Sequence, residues 1–73
     1  MRYTVILEHD PSGLMVAHVP VLRGCVSQGK NKREALRNVK EAITLYIETL
    51  IEQGQIVPTE AAREYVELAV TGR

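Results

Sequence analysis

The chain has 73 residues, 45% hydrophobic and 25% charged, which is the composition of one small folded domain spanning residues 1–73 rather than of a disordered chain. Nine basic and nine acidic side chains cancel, so a nucleic-acid backbone or an anionic membrane surface is not expected as the main partner. A single cysteine makes neither an intramolecular disulfide nor a four-ligand zinc site. No apolar run approaches the roughly 20 residues that cross a bilayer, and no charged-then-apolar leader opens the chain, so a reduced, cytoplasmic domain is the expectation. Chains of this size hide only about 60% of their unfolded surface. With no Trp and no Phe, self-association, a dimer first, is the expected source of added stability.

Arg2 to His9 alternates, with Tyr3, Val5 and Leu7 on one side and Thr4, Ile6 and Glu8 on the other, a period of two that predicts a strand. Asp10-Pro11-Ser12-Gly13 stacks four turn-formers, and Leu14 to Val19 resumes as a second strand, closing an antiparallel hairpin. Pro20 cannot donate to a ladder and ends it. Val21 to Gly24 reads as a connection, Cys25 to Gln28 as a short third strand. Asn31 then stands as an N-cap with Glu34 three residues on, where a capping-box carboxylate reaches back to the cap amide. Ala35, Leu36, Val39, Ala42, Ile43, Tyr46, Ile47, Leu50 and Ile51 follow at spacings of three and four, one apolar stripe on a helix from about Lys32 to Gln53. Gly54 supplies the left-handed position after it. In the tail, Tyr65 to Val70 alternates well enough for a closing strand after a turn or short helical segment, with a single helix over 60–69 as the competing reading. The glycines, Gly13, Gly24, Gly29 and Gly54, read as turn and cap positions, since none has phosphate-loop spacing. The predicted class is α+β: a small, mostly antiparallel sheet in the order β-β-β-α-β, with one long helix packed on one face.

The run Val19-Pro20-Val21-Leu22-Arg23-Gly24-Cys25-Val26-Ser27-Gln28-Gly29, followed by Glu34-Ala35-Leu36 and Asn38-Val39-Lys40-Glu41-Ala42-Ile43, closely resembles the HicB-like family, the antitoxin partners of HicA-type toxins. Tyr3 to Glu8 with Asp10 and Gly13 fits the family's first hairpin, so the resemblance covers residues 2 to about 58. It implies a degraded ribonuclease-H-like fold and, as partner, a small HicA-type mRNA-cleaving toxin. Arg23 departs from the proline usual before the Gly-Cys pair. Full-length HicB proteins also carry a C-terminal ribbon-helix-helix or helix-turn-helix domain, so the expectation here is that operator binding does not carry over.

Catalysis is not predicted. Ribonuclease-H-like chemistry needs carboxylates converging on two metal ions about 4 Å apart, and near the strands only Glu8 and Asp10 are on offer, the latter better explained as a turn residue. Cys25 with His9 or His18 lacks an orienting third group, and a small buried side chain is the better reading. Catalytic, cofactor and metal residues are all read as none.

Two surfaces remain. Lys32, Arg33, Arg37 and Lys40 gather in the first half of the helix and Glu48 and Glu52 in the second, the reverse of what the helix dipole favours. This is either a solvated face or, with Lys30 and Arg23, a basic patch that meets an acidic surface. The strands also carry apolar groups on both sides, Ile6 as well as Val5 and Leu7, Met15 and Val19 as well as Leu14 and Val16. One helix covers one face, so the other is expected to meet a second copy or another protein. Ile6, Met15, Arg23, Arg33, Arg37 and Lys40 are the candidate contacts for a homo-oligomer or a HicA-type toxin.

Overall fold

The computed structural model describes residues 1–72. Three strands, β1 (Ile6–His9), β2 (Met15–His18) and β3 (Val26–Gly29), form an antiparallel sheet in the order β1-β2-β3, and one helix, α1 (Lys32–Glu52), packs on one face. The α+β class is as predicted. The strands are shorter than the alternation suggests for a local reason. The next bonded pair along would be Thr4 with Pro20, but Pro20 has no N–H, its carbonyl accepts from Arg63 and the Thr4 N–H donates to Glu60, so Tyr3 to Val5 drop out of the ladder.

The hairpin turn is built by Asp10. One carboxylate oxygen accepts from the Ser12 N–H at 2.9 Å, the Ser12 hydroxyl at 2.6 Å and the Leu14 N–H at 3.0 Å. Asp10 N–H donates to the Leu14 carbonyl and Gly13 N–H to the Asp10 carbonyl, which leaves a three-residue loop ending on Gly13 at φ 93°, the left-handed position such loops need. The Ser12 hydroxyl above all, with the backbone amides, holds the Asp10 carboxyl below its ordinary value of 3.8. Glu60 is likewise held below its ordinary 4.5, chiefly by the Thr4 N–H. Groups depressed on folding stabilise above their unfolded values and stop doing so as pH falls through the folded ones. The urea midpoint should therefore drop progressively below about pH 5. Asp10→Asn should be less stable at pH 7 and show a shallower acid loss, read from urea melts at pH 7, 4 and 3.

The register sets two faces. Ile6, His18 and Val26 lie in one cross-strand row and Glu8, Val16 and Gln28 in the next, all on the side away from α1. Leu7, Ala17, Met15 and Val19 turn toward the helix, where they join the core of Val21, Leu22, Cys25, Ala35 and Val39. Leu22 and Val39 are its largest fully buried side chains. The segment between β2 and β3 thus does more than connect: hydrogen bonds from Leu22 to Val19 and from Cys25 to Leu22 coil it so that Val21 and Leu22 drop into the centre.

At the start of α1 the Asn31 side chain accepts from the Glu34 N–H at 2.9 Å, as its cap position predicts. The Glu34 carboxylate, however, accepts from the Lys30 N–H at 3.1 Å rather than from Asn31, because β3 runs beneath the first helical turn and brings Lys30 into reach. The helix ends with Gly54 N–H on the Ile51 carbonyl and Gln55 N–H on the Leu50 carbonyl, a Schellman pair around Gly54. Of the predicted apolar stripe, Ala35 and Val39 are buried, but Leu36 and Ile51 are exposed. For Ile51 the reason is length: 21 residues make a rod of about 31 Å, against roughly 13 Å for a four-residue strand. The second half of α1 runs past the sheet.

The predicted closing strand over Tyr65–Val70 does not join the sheet, and the competing helix over 60–69 does not form. A short 3-10 turn, Glu60–Ala62, is followed by exposed chain without regular structure through Gly72. Tyr3 hydroxyl donates to the Pro58 carbonyl, Thr4 N–H to the Glu60 carboxylate and Arg63 to the Pro20 carbonyl. These ties carry the chain across the end of the sheet rather than alongside β1.

Candidate functional site: an apolar groove and a basic helix stripe

The overhang of α1 creates a groove. The chain from Gly24 through Cys25 to Val26 at the start of β3, and Ala42, Leu45, Tyr46, Thr49 and Leu50 from α1, line an open, mostly apolar hollow of about 460 Å³. Its floor is pinned by the Tyr46 hydroxyl, which donates to the Arg23 carbonyl at 2.8 Å and so fastens the loop before β3 to the middle of the helix. Leu45 is 66% exposed at its wall, and Val26, 55% exposed, turns its side chain to the open face of the sheet beside it. Leu45 lies off the predicted stripe. Its one sequence signal is a leucine on the face that should be polar.

The predicted contacts fall in three places. Arg33, Arg37 and Lys40 are exposed and, at spacings of four and three, share one side of α1's first half. Lys30 lies at the same end. Arg23 does not join them: its backbone is tied to Tyr46, some 13 residues and about 20 Å of helix from Arg33. Ile6 is 40% exposed on the open face of the sheet, as expected. Met15 instead faces the helix and packs half-buried against the core. The open face is less apolar than both-sided alternation suggests. Ile6, Val16 and Val26 are interleaved there with Glu8, His18 and Gln28, and His18 Nε2 stands 3.4 Å from the Glu8 carboxylate, an ion pair whenever the imidazole is protonated.

The geometry also bears on the chemistries weighed from the sequence. Cys25 is buried on the helix side and burial pushes its thiol up, away from the thiolate a nucleophile needs. His18 projects from the opposite face, and His9 pairs with Met15 at the far end of the sheet, so neither meets the thiol. The Asp10 carboxylate is committed to its turn. Among the described residues no three His, Cys, Asp or Glu side chains are grouped to hold a metal ion, and no helix is long and apolar enough to cross a membrane.

Comparison with known proteins fits this picture of a small surface-bearing domain. A UPF0150 protein of Thermoplasma acidophilum is 50% identical over 64 residues, covering 88% of this chain and 93% of that protein. A UPF0150 protein of Synechocystis is 52% identical over 59 residues, covering 81% of this chain and 75% of the other. An uncharacterized 14.9 kDa protein of Haemophilus phage HP1 is 38% identical over 58 residues, which is 80% of this chain but 43% of the phage protein. No solved structure matches the chain. The family model for the HicB-like antitoxin of bacterial toxin–antitoxin systems matches residues 3–70, from the first inward-facing tyrosine through the exposed tail. On that match and these relatives, the chain belongs to the HicB-like antitoxins of bacterial toxin–antitoxin systems.

Proposed function

We propose that the chain is a non-catalytic antitoxin that binds a HicA-type, mRNA-cleaving toxin in the cytoplasm and covers its RNA-binding or active surface. The observation that carries this reading is the apolar groove between the start of β3 and α1, which leaves Leu45 in water where an apolar anchor of a partner fits. The exposed stripe of Arg33, Arg37 and Lys40 supplies a rim of one charge for an acidic neighbour. The three-stranded sheet with its long helix is, on this reading, a degraded ribonuclease-H-like fold retained as a scaffold. The same chain self-associates as a dimer.

The test is stoichiometric. A purified cognate toxin should co-elute with this chain, and its RNA cleavage should fall linearly to near zero as the chain is added. Leu45→Lys changes an exposed side chain, so the fold should hold while the toxin affinity falls by about tenfold or more. A toxin that neither co-elutes nor loses activity ends the proposal.

A further inference from the structure

We propose that residues 64–70 of one copy add as a fourth strand to the open edge of β1 in a second copy, the two tails being exchanged reciprocally. The inference rests on the self-association proposed above and supplies its means.

The tail has the residue pattern of a strand and no sheet to join. Arg63 leaves the fold with extended backbone, φ −112° and ψ 147°. Beyond it Val66, Leu68 and Val70 are 66%, 80% and 83% exposed. In extended chain these three share one side and Glu67 and Ala69 the other, so one side is an unbroken aliphatic ridge. The tail also spreads the molecule: the radius of gyration is 14.4 Å, against about 11 Å for a compact chain of this length. Aliphatic surface so concentrated is the kind that finds a cover.

The acceptor is β1. The Asp10–Leu14 hydrogen bond closes the hairpin, so the alternation of an antiparallel ladder places the bonded pairs at Glu8–Val16 and Ile6–His18. Leu7 and His9 therefore direct their N–H and C=O groups away from β2, and among the described residues no other backbone group meets them. On the helix side of this edge Val5 and Leu7 are only half-buried, a ledge for the incoming ridge. The opposite edge is not equivalent, because the Asn38 side-chain amide donates to the Gln28 carbonyl at 2.8 Å and occupies part of β3's free rim.

The donor is a second copy. Glu60 held at Thr4 and Arg63 held at Pro20 carry each tail across the end of its own sheet and away from its own β1. Residues 65–70 span about 20 Å when extended, enough to run the length of β1 in a neighbour. Two-fold exchange then closes the β1 edge of both copies at once, so the association is complete at two chains.

The test uses the full chain and Val66→Asp with Leu68→Asp, two exposed positions whose change leaves the monomer fold intact. Sedimentation equilibrium gives the association state, and amide exchange by NMR reads Leu7 and His9. The full chain should be a dimer, and the double variant a folded monomer with association at least about 100-fold weaker. Leu7 and His9 amides should exchange at least about 100-fold faster in the variant. A monomeric full chain overturns self-association and this mode with it. A dimer that survives the double substitution overturns the tail as donor while leaving self-association standing. A dimer that is lost without any change at Leu7 and His9 overturns β1 as the acceptor.

Discussion

Gly29→Ala is expected to displace the first turn of α1 and to destabilise the fold by about 3 kcal/mol or more. A Cβ at Gly29 would lie 2.5 Å from the Ala35 nitrogen, 2.8 Å from the Glu34 carbonyl carbon and 2.9 Å from the Glu34 Cβ. These atoms belong to the helix itself, so no side-chain rotation relieves the overlap. The helix must lift, and with it go the Glu34 carboxylate that holds the Lys30 N–H and the packing of Ala35 in the core. Gly29 is thus present for clearance and not for a turn, which corrects its reading as a turn position. Gly13→Ala makes the contrast. Nothing lies within 4 Å of its added Cβ, and its cost is the left-handed backbone alone, about 1–2 kcal/mol. Urea midpoints of the two variants at equal protein concentration should rank Gly29→Ala well below Gly13→Ala. The reverse order would contradict the close helix approach.

The second large effect is expected at Leu22. Its side chain is wholly buried, and the other fully buried residue of comparable size is Val39, so few neighbours can collapse into a void left by Leu22→Ala. The loss should be about 3–4 kcal/mol, the middle of the range for a leucine truncated in a tight core. Domains of this length hold only about 4–11 kcal/mol in all. A fall in melting temperature of roughly 12 °C or more should follow. Leu22→Met keeps the volume and should lose less than about 1.5 kcal/mol. Calorimetry on both variants at a fixed concentration distinguishes a packing role from a sequence-specific one.

These residues also mark where the sequence was legible and where it was not. Period-two alternation located the strands, and the Asn31, Glu34 and Gly54 signals bounded α1 within a residue, because caps and strands are chosen by neighbours in the chain. Leu22 sits among Pro20, Arg23 and Gly24, which read as a linker. Only the coil of hydrogen bonds between Val19 and Cys25 turns it inward. β2 is apolar on both sides, so alternation alone could not decide that Met15 faces the helix and Val16 the open side. The register with β1 and β3 decides it. Gly29 answers to a helix that arrives later in the chain. For the tail, the alternation from Tyr65 to Val70 is genuine strand chemistry, yet the single chain offers it no ladder.

For the candidate site, the basic stripe was readable because a helix displays its charges at fixed intervals. The groove was not, since it exists only where a rod of about 31 Å outruns strands of roughly 13 Å. That mismatch, rather than any motif, leaves Leu45 at the surface beside the start of β3.

Cys25 gives the molecule a built-in clock. Its thiol lies under α1, where burial raises its pKa, and the chain has no second sulfhydryl. Cys25 is 4% exposed at the floor of the groove, so reagents meet it slowly while α1 stays in place and faster with each movement that uncovers the sulfur. The pace of labelling therefore counts how often α1 and the start of β3 part, without a fluorophore or an engineered tag.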